Sequence, residues 1–176
     1  RWEQLPVRIR LLVPIGQRAV HVKVRSVHEH GVTIHLLDAS ADDTNSSTHS
    51  SPFASPYPGG DAATRLLPAV LLARASLMLL EALTHGPQAA PRPDVVIAND
   101  WSAALVAPCA LHAESWAGPH AASISRMHAS ALFVHLIHNL EEGYDGKLPV
   151  GSSGYGVAQT GGEAMTKERP ARVETR

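Results

Sequence analysis

The chain has 176 residues, of which 44% are hydrophobic and 18% charged, and its formal net charge is -1 at pH 7. Such a length and apolar content suit one domain with its own core, and a near-neutral surface without runs of like charge offers nothing to attract a nucleic-acid backbone. Arg74 and Glu81 interrupt the longest apolar stretch, so no membrane span is expected; a lone Cys109 between Pro108 and Ala110 reads as a small buried hydrophobe in a reducing, intracellular setting.

The opening alternates with a strand period. Val7, Ile9 and Leu11 are separated by Arg8 and Arg10, and Val20, Val22 and Val24 by His21 and Lys23, with a turn at Pro14-Ile15-Gly16-Gln17. A second turn at His28-Glu29-His30-Gly31 leads into Val32-Thr33-Ile34-His35-Leu36-Leu37, which predicts a three-stranded meander. Residues 40–60 are dense in Ser, Asp, Asn, Pro and Gly and are expected to form an exposed loop. A helix follows, capped by Asp61 or Thr64 and closed by His85-Gly86-Pro87, and Pro68 places its regular start close to itself.

The second half alternates strand, helix and strand. Val95-Val96-Ile97-Ala98 is an apolar run of the kind covered on both faces, and Asn99-Asp100-Trp101 marks its end. Residues 102–112 and 121–129 read as helices, 115–120 as loop, and 132–137 as another buried strand ending at His138-Asn139. That order implies an α/β fold with a parallel sheet, in which ligands gather beyond the C-terminal strand ends, so the two polar clusters would face one crevice. Residues 150–176 lack apolar periodicity and are expected to be a poorly ordered tail.

The eleven histidines do not form a metal motif. His135 and His138 are an odd number apart and point to opposite faces unless the strand ends between them; no H-E-x-x-H or C-x-x-C occurs. Neither a G-x-S-x-G elbow nor a Gly-rich phosphate cradle is present. Asp100 is more informative, because a carboxylate at the mouth of a buried strand must cap a helix or meet a ligand. His138 beside an amide is either a satisfied histidine or a grip for sugar hydroxyls, and Trp101 is either core or a flat face for a sugar ring.

These residues resemble a known family. Pro93-Asp94-Val95-Val96-Ile97-Ala98-Asn99-Asp100-Trp101 with Ala104-Leu105-Val106 is similar to the "PDVVHAHDW, then ALV" stretch of glycogen and starch synthases. Phe133-Val134-His135-Leu136-Ile137-His138-Asn139-Leu140, followed by Tyr144-Asp145-Gly146, resembles their "VFTIHNL, then YQG" stretch, and Ser55-Pro56-Tyr57-Pro58-Gly59-Gly60-Asp61 with Arg65 resembles their loop and "D-x-x-x-R" helix start. The resemblance covers roughly residues 31–149 and stops after Pro149.

It implies the N-terminal Rossmann-like lobe of a GT-B glycosyltransferase, occupying residues 1–149, with an N-terminal β-meander beside a mostly parallel sheet. It also implies glucose transfer, with retention, from a nucleotide sugar, ADP-glucose or UDP-glucose, to the end of an α-1,4-glucan. Asp100 and His138 would contact the transferred glucose or shape the acceptor site, Asn139 would support that pocket, and Tyr57 and Trp101 would line it. No metal or other cofactor is implied, and most nucleotide contacts would come from a second, C-terminal domain, so this part alone is expected to be inactive. The family's K-x-G-G-L loop is not found, Asn99 replaces its His, two extra residues lie within 141–144, and 112–129 is longer than expected. A non-catalytic carbohydrate-binding or interaction module, or a GT-B enzyme for another sugar, fits the same residues; plastid and cytoplasm stay equally open.

Overall fold

In a computed structural model, residues 5–39, 53, 62–85 and 89–138 are described. Tyr57, Asn139, the loop and the tail therefore lie outside them, except for Phe53, and the side chains of residues 62–65 are also left aside.

The meander forms as the alternation predicts. β1 (Val7–Ile15), β2 (Arg18–Glu29) and β3 (Val32–Asp38) pair antiparallel in the order β1-β2-β3. Both hairpins are tighter than their turn sequences suggest. Gly16 takes the first loop position at φ 60°, and His30-Gly31 turns with φ 50° and 79°, the positive pair that matches the right-handed strand twist. Leu11, Val13, Val22 and Val24 bury one face while Arg8, Arg10 and Leu12 stay exposed.

That apolar face rests on α1 (Ala62–Leu83), the central element. The helix begins before Pro68, not at it. By length and composition, Leu66–Leu83 is apolar enough to cross a membrane. Leu71, Ala73, Ala75 and Leu77 are instead fully buried in the shared core, because α1 meets β1 on one side and the helices of the second half on the other. A helix apolar on all sides needs such double cover. Arg74 reaches out of it to donate from Nη1 to the Pro14 carbonyl at 2.6 Å.

β4 (Val95–Asn99) pairs parallel with β5 (Leu132–Leu136), in register from Val95 opposite Leu132 to Asn99 opposite Leu136. Between them run α2 (Asp100–Ala103), α3 (Val106–Leu111), single 3-10 turns at Ala113–Ser115 and Gly118–His120, and α4 (Ala121–Ser130). The single helix expected over 102–112 is thus split. Pro108 has no N–H to continue the ladder backward, so the chain re-forms its turn at Leu105, whose carbonyl receives the Cys109 N–H at 2.9 Å. Val106, Ala110, Ala113, Trp116, Ile124 and Met127 pack this crossover onto α1.

The mixed α/β character holds, but the mostly parallel sheet does not appear among the described residues. The meander and the β4-β5 pair are separate sheets, one antiparallel and one of two parallel strands. Nor, among the described residues, are β4 and β5 covered on both faces: Val95, Ile97, Leu132 and Leu136 are exposed, and of the pair only Ala98 is buried. An unbroken apolar run records suitability for burial on two faces, whereas covering each face depends on elements elsewhere.

Candidate active site at the ends of the parallel strands

The site is built where β4 and β5 stop together. β5 ends at Leu136, two residues before His138, so the odd spacing of His135 and His138 no longer sends them to opposite faces. Both reach Asp100. The His138 backbone N–H donates to Asp100 Oδ1 at 2.8 Å, and His135 Nε2 donates to the Asp100 carbonyl at 2.9 Å. Because a carbonyl only accepts, this second bond puts the proton of His135 on Nε2.

Asp100 itself departs from its expected role. It does not cap a helix: Asn99 is the residue before α2, and no side-chain bond closes that end. Asp100 instead opens α2 in the left-handed region at φ 57°, a conformation that costs an L residue about 1–2 kcal/mol and that Asp tolerates better than most. The two bonds, one from β5 and one from the residue just past it, over-determine the strained turn and aim the carboxylate across the strand ends.

His138 Nε2 lies 3.4 Å from Asn99 Oδ1, so the residue standing in the family's His position helps set the imidazole. Asp100 is half-buried, while Asn99, His135 and His138 are exposed. Among the described residues no partner occupies Asp100 Oδ2 or His138 Nδ1. A carboxylate oxygen that accepts and an imidazole nitrogen beside it suit adjacent sugar hydroxyls, which both donate and accept. No group of three or more His, Cys, Asp or Glu able to hold a metal occurs among the described residues.

Trp101 follows Asp100 into α2 but turns toward α1 and β3, where it lines a cavity with Phe53 and Pro68. It is half-buried there. Asn99 and His135 carry bonds that spacing alone did not assign to the site. The signal available was their register: Ala98 sits opposite His135 and Asn99 opposite Leu136, at the last pairs of the parallel ladder.

The fold and site define an α/β domain that gathers polar side chains beyond the carboxyl ends of parallel strands, the usual place for a ligand in such sheets. The family model described as starch synthase catalytic domain matches residues 2–166, and the chain belongs to that family of glycosyltransferases. The match begins well before residue 31 and runs past Pro149, so the family likeness is wider than the motifs alone indicate. Comparison with curated proteins and with solved structures gave no match.

Proposed function

We propose that this chain is the acceptor-side, N-terminal Rossmann-like part of a GT-B glucosyltransferase, with the domain closing near residue 149. It moves glucose, with retention, from a nucleotide sugar, ADP-glucose by preference, to the non-reducing end of an α-1,4-glucan. Asp100 Oδ2 and the His138 ring hold hydroxyls of the transferred glucose, and Asn139 and Tyr57 complete the pocket. The observation that carries this reading is the bond between the His138 backbone and the Asp100 carboxylate at 2.8 Å, which joins the two motif segments at one point.

Positioning is one part of transfer. The departing nucleotide phosphates also need cationic stabilisation, and among the described residues the Asp100 cluster holds no Lys or Arg. A second GT-B domain supplies that clamp, and the 176-residue chain alone is inactive. The test is incorporation of labelled glucose from ADP-glucose into glycogen by this chain alone and joined to the C-terminal domain of a starch synthase. Turnover in the joined form only, lost in Asp100→Ala and His138→Ala, supports the reading. Wild-type rates in both variants overturn the site assignment.

A further inference from the structure

A second polar cluster joins the end of α1 to the start of α4 and shares no residue with the Asp100 cluster. Glu81 lies in the last turn of α1 and His85 just beyond it, four residues on, the spacing that sets two side chains on one helix face. His85 Nδ1 donates to the Glu81 backbone carbonyl at 2.7 Å, and Glu81 Oε1 lies 3.7 Å from the same nitrogen. The other carboxylate oxygen, Oε2, accepts from His120 Nδ1 at 3.2 Å, so the 3-10 turn before α4 holds the carboxylate in place. Ser123, in the first turn of α4, has its Oγ 3.3 Å from His85 Nε2.

These contacts fix where each proton sits. A carbonyl only accepts, so Nδ1 carries the proton of His85, and Nε2 of the neutral ring offers its lone pair. The Ser123 hydroxyl is therefore the donor in its contact with His85. Activation of a nucleophile by a general base needs this arrangement: a hydroxyl on an imidazole lone pair, and a third group orienting the imidazole through its far nitrogen, with distances that are often loose before a reactant binds. Such a set is recognised by geometry and roles, whatever the chain order or surrounding motif. The Glu81 side chain is 15% exposed and that of His85 45%, so the carboxylate sits where its attraction for an imidazolium is less screened, while the ring is open to a reactant. Ser123 is half-buried between them and solvent.

We propose that Ser123 is the nucleophile, and His85 the general base, of acyl transfer from small carboxylic esters. Ser123 Oγ bonds to the ester carbonyl carbon as its proton passes to His85 Nε2. The intermediate collapses when the imidazolium returns that proton to the departing alcohol oxygen, leaving an acyl serine and a free alcohol. Water, giving a proton to the same imidazole, then releases the carboxylic acid and restores the serine. The first turn of α4 leaves amide N–H groups without intrahelical partners next to the Ser123 hydroxyl, donors for the oxygen that turns negative. This chemistry does not depend on the glucose-transfer reading.

The test is labelling of the 176-residue chain with diisopropyl fluorophosphate, followed by mass spectrometry of the Ser123 peptide. The expected result is a diisopropylphosphoryl group on Ser123 Oγ, with fluoride leaving and the hydroxyl proton going to His85. 4-Nitrophenyl acetate should leave an acetyl group on the same oxygen. Ser123→Ala removes both adducts, and His85→Gln slows phosphorylation at least about a hundredfold, the lower end of what a general base contributes. Glu81 is a positioning residue, so Glu81→Gln slows labelling about tenfold and Glu81→Asp, which keeps the charge, recovers part of that loss. Each variant is checked for a folded circular-dichroism spectrum. An unlabelled Ser123 in the folded wild type, or equal labelling rates in a folded His85→Gln chain, overturns the inference. Asp100→Asn leaves the labelling unchanged, so failure of the glucose site and failure of this one are read separately.

Discussion

The imidazole of His135 donates from Nε2 to the backbone carbonyl of Asp100 at 2.9 Å, tying the end of one parallel strand to the strained first residue after the other. The bond is to main chain, so it fixes where the Asp100 backbone turns, while the carboxylate is aimed separately by the His138 amide. His135 is therefore a positioning residue.

Replacing it separates donor from shape. His135→Phe keeps a ring and loses the donor, and in the joined two-domain enzyme kcat should fall about tenfold, the scale of one hydrogen bond to a strained turn. His135→Gln retains an N–H donor and should recover part of that loss. Steady-state kinetics with ADP-glucose and glycogen decides it; equal rates for Phe and Gln would show that the bond does not position Asp100.

The left-handed φ of Asp100 gives the site a stability signature of its own. Asp100→Gly relieves the backbone strain but loses the carboxylate that receives the His138 N–H, so the two effects oppose and the net change in urea-unfolding stability should stay within about 1 kcal/mol. Asp100→Ala keeps the strain and loses the same bond, and should be less stable than the glycine variant by about 1 kcal/mol. If the alanine variant is the more stable of the two, the backbone does not hold this residue at positive φ.

What the sequence made legible is local. The alternation of Val7, Ile9 and Leu11 with arginines defines the meander because one face of an antiparallel sheet meets solvent and the other the core. Asp100 and His138 stand out in the sequence as strand-end polar residues, and they meet because strands in parallel register end side by side. What could not be read is long-range: that Asp100 leaves the strand at positive φ, that His135 turns to its carbonyl, and that Ile97 and Leu132 face solvent. Each depends on a partner more than thirty residues away or on a covering element, and neither periodicity nor composition encodes those.

Arg74 and Trp116 test a different part of the fold. The guanidinium lies 5.0 Å from the Trp116 ring centroid and donates to Pro14, yet its Nε is buried with no partner among the described residues. Removing the side chain costs packing, the ring contact and the hydrogen bond, so Arg74→Ala should destabilise by about 2 kcal/mol. Arg74→Met keeps the stem and discards the unpaired nitrogen, and should cost about 1 kcal/mol or less. Urea denaturation of the two variants checks the order.

Cys109 sits beside that guanidinium, but burial outweighs it and pushes the thiol above its ordinary range, with the Arg74 charge and hydrogen bond pulling the other way. The folded state therefore favours the neutral thiol. Its contribution to stability is present in full below the unfolded thiol's value and is lost as pH rises from there through the folded value. Wild type should lose stability relative to Cys109→Ala as pH rises above the ordinary thiol range of about 8.5, measured as the difference between their urea midpoints. The native thiol should also react with iodoacetamide at least about tenfold more slowly at pH 7.5 than in urea.

The exposed faces of β4 and β5 give the last expectation. Burial, and not hydrophobicity of the residue, sets the cost of a substitution, so Leu77 and Leu132 should behave oppositely although both are leucines in regular elements. Leu77 is fully buried in α1, and Leu77→Ala should cost about 2–5 kcal/mol through lost transfer energy and the cavity left behind. Leu132 is 62% exposed at the start of β5, and Leu132→Thr introduces a β-branched strand former while removing surface apolar area; its stability should change by about 0.5 kcal/mol or less. Removing exposed apolar area from a short open sheet should also reduce self-association, visible as lower light scattering at high concentration. A cost for Leu132→Thr comparable to that for Leu77→Ala would mean that the outer face of the parallel pair is covered in solution.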